Sequence, residues 1–258
     1  MGHFYFDESI HDRGGFIVGA YVYGPDADAQ VTAAIDRVGL RPGLDEFKSS
    51  SRMDRHPEQV ALRDELRKIL VEYRLAVLVT PSADRAALGE EALRGLDQIA
   101  QTNNLVGGPR LVAALDEGVF DPVGRAAELS AEIGLDRYCE IRPEQDSRAV
   151  KGLQLADLVA HTAATMLLET LGLVRKHVKA GSDSGYEEDL ELELGFELWA
   201  GLRYQFLHSG PADQQEEAHQ GALMEVGPCG LRISAACSAD LRAAALDRFG
   251  QCYLGCIH

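Results

Sequence analysis

The stretch Phe4-Tyr5-Phe6-Asp7-Glu8-Ser9 decides how the chain is read. It is aromatic and strand-like, with Phe4 and Phe6 on one face and Tyr5 and Asp7 on the other. A run this apolar so near the start predicts a strand in the middle of its sheet. Its end then places Asp7 at the sheet's rim, where a rigid element can hold a catalytic carboxylate. Three later acids have similar placements: Glu46 in Leu44-Asp45-Glu46-Phe47-Lys48, Asp116 closing Leu111–Asp116, and Asp157 closing Gly152–Asp157.

Working outward, Phe4–Glu8 and Phe16–Tyr23 flank Asp12-Arg13-Gly14-Gly15 and read as a hairpin. A helix is expected over Ala27–Val38, then a third extended piece containing Glu46. Pro57 opens a helix whose stripe includes Leu62, Leu66 and Leu70. Strand Leu75–Thr80, helix Ala83–Gln101, strand Leu111–Asp116, helix Asp121–Ile133, strand Tyr138–Ile141 and helix Lys151–Leu171 follow. The order predicts an α/β fold: antiparallel strands 1–3, then parallel strands, flanked by helices. A first domain is expected over residues 1–171. Residues 172–258 are expected as a C-terminal appendage: a loop at 172–185, an acidic helix over Tyr186–His208, a linker at 209–228, a short strand and a last helix.

The formal charge is −16, from 25 Lys+Arg against 41 Asp+Glu. Bulk electrostatics therefore oppose a polyanionic partner. The charge is uneven, however. Asp183, Glu187, Glu188, Asp189, Glu191, Glu193 and Glu197 fall in a stretch without Lys or Arg, while Arg52, Arg55, Arg63, Arg67 and Lys68 cluster elsewhere. No apolar run approaches the ~20 residues of a membrane span, and no signal peptide is visible, so the cytoplasm is the expected location. Five cysteines without a secretion signal are expected as free thiols. Cys252 and Cys256 on one helix face would also suit a shared metal.

Phe4–Ser9, then Glu46-Phe47-Lys48-Ser49-Ser50, then an Asp closing an apolar strand, then Gly152-Leu153-Gln154-Leu155-Ala156-Asp157-Leu158-Val159-Ala160 form an ordered set. Over residues 3–170 the chain resembles the bacterial and phage proteins called domain of unknown function 3800, of the ribonuclease H-like (integrase-like) superfamily. The family's first motif reads Asp-Glu-Ser-Gly; here Ile10 replaces the Gly.

The resemblance implies a metal-dependent nuclease or related phosphoryl-transfer enzyme, acting on RNA or DNA in phage defence or a mobile element. It implies two Mg²⁺ (or Mn²⁺) ions about 4 Å apart, with Asp7 bridging them, Glu46 and Asp116 completing one site and Asp157 the other. Hard cations of this kind prefer carboxylate oxygens. Lys48 could meet a phosphate oxygen as a point charge. Gln154, Arg148, Lys151 and Arg52 are the expected substrate contacts, with His161 on the face of Asp157. Taken singly, a carboxylate at a strand end is more often a solvated rim residue or a cap. The rival reading is a non-catalytic ribonuclease H-like module that binds nucleic acid or a protein, and a homodimer through the C-terminal extension is a further expectation.

Overall fold

The computed structural model describes residues 2–53, 55–180, 187–210 and 223–254. Asp183, Tyr186, most of the expected linker, Cys256 and His258 lie outside them. Strand β1 (His3–His11) pairs antiparallel with β2 (Phe16–Gly24) and parallel with β4 (Leu111–Asp116). β3 (Arg74–Pro81) pairs antiparallel with β2, and β5 (Cys139–Gln145) parallel with β4. A sixth strand, β9 (Leu231–Ile233), adds parallel to β3, giving the order β5-β4-β1-β2-β3-β9.

The alternation of β1 sorts the two layers. Phe4 and Phe6 join Ile17, Tyr21 and Leu78 under α3 (Leu88–Thr102) and α4 (Arg125–Ile133). Tyr5 joins Val18, Ala20 and Val77 on the opposite face. That face is covered by α1 (Asp28–Arg37), α2 (Pro57–Leu70) and α5 (Leu153–Thr170). α5 is apolar nearly all round because it lies between the sheet and further helices, and its Leu153, Leu155, Val159, Ala163 and Leu167 are fully buried.

Two expectations need correction. The piece containing Glu46 is not a strand: residues 39–53 form turns and loops, and the third antiparallel strand is Arg74–Pro81. The segment after 171 is not an appendage. β9 extends the main sheet, and Phe206, Leu241 and Phe249 share a core with β2 and α5. Leu207 N donates to Leu75 O, and Ser234 N to Val79 O. Apolar surface this large is buried where the chain can reach it, and here that is the free edge of β3.

The long acidic helix is also shorter than expected. β6 (His177–Lys179) pairs with β7 (Glu191–Glu193), and only Leu194–Leu202 (α6) is helical before a turn at Arg203–Gln205. The period-two alternation of acids and leucines decides residues 191–193 over helix propensity. Short β8 (Leu223–Glu225) pairs with β10 (Gln251–Tyr253), after α7 (Ala239–Phe249). Cys252 is therefore on a strand, and Cys139, Cys229, Cys237 and Cys252 are buried free thiols. No helix among the described residues is long and apolar enough to cross a membrane.

Candidate functional site

Phe6 is in register with Leu115, so Asp7 and Asp116 follow side by side where the pairing of β1 with β4 stops; Asp116 ends β4, but Asp7 is not at a strand end as expected, because β1 runs on to His11 along β2. Residues in register point to the same side of a sheet. Asp7 therefore shares its side with Tyr5, the side covered by α5. The start of α5 lies directly on β1, because residue 152 has no side chain: a Cβ there would stand 2.3 Å from the Tyr5 ring. This close approach brings Asp157, in the second turn of α5, close enough for its charge to act on Asp7 in the middle of β1.

The neighbouring charges act on Asp7 and Asp116. Burial pushes Asp7 up to about 9, with the charges of Asp116, Asp157 and Glu8 adding to it. Asp116 is raised to about 6, first by burial and also by Glu117 and Asp157. Burial also raises Glu8, on the opposite face, to about 7; the charge of Asp116 adds to this, and Arg85 opposes it. One buried carboxylate oxygen of Glu8 has no hydrogen-bond partner.

Glu46 and Lys48 come from the irregular segment, and side chains satisfy its backbone. Phe47 is buried as an anchor. Its N–H donates to Gln154 Oε1 at 2.8 Å, and Gln154 Nε2 donates to Ser147 O at 2.9 Å. Lys48 N donates to Gln59 Oε1 at 3.1 Å, while Gln59 Nε2 donates to Glu46 O at 2.9 Å. Ser49 donates to Asp157 through its N–H at 2.9 Å and through its hydroxyl. Ser147 Oγ donates to Glu46 Oε2, and Lys48 Nζ stands 3.5 Å from that same oxygen. Burial works against the charge of Lys48, but Glu46, Asp116 and Asp157 outweigh it and raise its pKa.

The expected substrate contacts divide. Gln154 is fully buried with both ends of its amide engaged, so it positions the loop and does not meet substrate. Arg148 is exposed but folds back on Asp146 at 2.9 Å. Arg52 is exposed on the Glu46 loop, and Lys151 gives its backbone N–H to Asp28 at the entry to α5. His161 lies one turn beyond Asp157, its pKa lowered by burial against the opposing pull of Asp157. Ser49, Ser147 and Gln59 were not singled out as functional from the sequence. Ser49 follows Lys48 in a turn-forming serine run, and nothing local marks Ser147 or Gln59.

Among the described residues, no three His, Cys, Asp or Glu side chains form a ready metal cage. The donors still suit Mg²⁺ or Mn²⁺ in kind: they are hard carboxylate oxygens from separate elements, and their charges repel each other. No family model, curated protein or solved structure matches the chain.

Proposed function

We propose that the chain is a metal-dependent phosphodiesterase, a nuclease or related phosphoryl-transfer enzyme, with a ribonuclease H-like catalytic fold. The observation that carries this reading is the placement of Asp7 beside Asp116 on adjacent parallel strands under the start of α5, with the charges of Asp116 and Asp157 raising the pKa of Asp7. Like charges forced together on rigid elements cost stability, and a bound cation relieves that cost. Asp7, Asp116, Asp157 and Glu46 would hold Mg²⁺ or Mn²⁺. Bound divalent cations of this kind lower the pKa of an attacking water and balance charge on a phosphoryl group. Lys48, drawn to the same carboxylates, supplies a positive charge for a phosphate oxygen. Ser49 orients Asp157, and Ser147 orients Glu46.

One observation favours the second reading, a non-catalytic module: both oxygens of Asp157 already accept hydrogen bonds from Ser49. Calorimetric titration with Mn²⁺ near pH 7, in buffers of different ionisation enthalpy, separates the two. Because Asp7 holds its proton up to about 9, binding should release about one proton. Asp7→Asn should lose both this release and oligonucleotide cleavage. Absence of Mn²⁺ binding together with undiminished cleavage by Asp7→Asn would overturn the catalytic reading.

A further inference from the structure

Polar side chains continue along β1 beyond the carboxylates. Asp7, Ser9 and His11 alternate onto the face covered by α5. Pairing with β4 stops at Phe6, so this half of β1 keeps only β2 as a neighbour among the described residues. α5 advances beside β1 in the same direction. Residue 152 lies on Tyr5, the charge of Asp157 reaches Asp7, His161 reaches His11, and Leu168 approaches Gly14. Ser9 Oγ and His11 Nε2 are 3.0 Å apart, and the imidazole of His11 packs on the Phe16 ring at 5.5 Å.

His11 is also a wall of a cavity of about 480 Å³ at the far end of this row of side chains. Ile10, Leu168, Leu173 and Val174 supply apolar walls, while Asp12 and Arg13 stand at its polar edge. We propose that this cavity is a nucleobase subsite, continuous with the carboxylate site. A base presents flat apolar faces and an edge of donors and acceptors. The aliphatic walls and the Phe16-backed imidazole match the faces, and Asp12 and Arg13 match the edge. A phosphate is a poor fit, because Arg13 is offset there by Asp12. The four residues from Asp7 to His11 span about 13 Å of strand, a distance that a short extended single strand covers.

The substrate class rests on the phosphodiesterase reading, but the subsite can be tested without it. Adenosine, guanosine, cytidine and uridine would each be titrated into the full chain in chelator and followed by saturation-transfer NMR. Binding is expected, and His11→Ala should weaken it roughly tenfold, as loss of a stacking platform does. Leu173→Trp, at a half-exposed wall, fills the cavity without touching the core and should abolish binding. Absence of saturation transfer from every nucleoside, or equal transfer in Leu173→Trp, overturns the subsite even if the wild type cleaves oligonucleotides. Nucleoside binding that Leu173→Trp removes, in a protein that cleaves nothing, upholds the subsite and sinks only the hydrolytic reading.

Discussion

Asp7, Asp116 and Asp157 ride on two strands and a helix, whereas Glu46 and Lys48 ride on a segment without regular structure. In the first region the ladders of β1 and β4 and the turns of α5 satisfy the backbone, and two packed layers hold it. In the second, Gln59, Gln154 and Asp157 reach in from two helices to satisfy the backbone. The first is therefore built to hold repelling charges in place. The second holds its shape only as long as a few side-chain hydrogen bonds last, and such segments open at lower free energy. A substitution that moves α5 should damage both regions; one that cuts a single pin should damage only the loop.

Gly152→Ala should have the largest effect. Its Cβ would stand 2.3 Å from Tyr5 ring atoms. The ring cannot yield, because it is buried and its hydroxyl accepts from Ala27 N at 3.0 Å. α5 must lift instead, at a cost of about 3 kcal/mol, taking Asp157 and Gln154 with it. Denaturant unfolding should show the loss, and Mn²⁺ affinity should fall with it. Unchanged stability would mean that α5 tolerates displacement and that the frame is softer than its packing implies.

Gln154→Leu should separate the two regions. It keeps an apolar side chain on α5 but leaves Phe47 N and Ser147 O without partners in a buried place. The cost is about 2 kcal/mol. Hydrogen exchange should speed up at residues 46–51 while β1 and β4 keep their protection. Equal acceleration in both would show that the loop and the frame open as one unit.

The same contrast explains what was legible in the sequence. Phe4–Asp7 and Leu111–Asp116 announce themselves because strand alternation and a terminal acid are local patterns. Helix Pro57–Leu70 is legible through its proline and its leucine stripe. Glu46 was misassigned to a strand because the partners of its loop, Gln59 and Gln154, are 13 and 108 residues distant from Glu46 in sequence. The burial of Gln154 between Phe47 and Ser147 is hidden for the same reason, since helical spacing gives its face but not its burial. The C-terminal boundary failed because a short strand is expected near Leu231 but its sequence gives no sign of which strand it will pair with. Its place is set by the open edge of β3, more than 150 residues earlier.

For Asp7→Asn the sign of the shift, more than its size, tests the frame directly. The pKa of Asp7 rises from 3.8 to about 9 on folding, chiefly through burial and then through Asp116 and Asp157. The folded protein thus keeps a proton that the unfolded chain gives up. Stability from this group is complete below about pH 4 and drains away as pH rises towards 9. Asparagine cannot ionise and escapes that loss. In chelator at pH 8, Asp7→Asn should melt above the wild type. At pH 4 the difference should vanish. Saturating Mn²⁺ should raise the wild type and leave the variant where it was, because a cation stabilises only the form that binds it. An equal gain at both pH values would make the effect one of packing, and the crowding of charge on the rigid elements would no longer explain it.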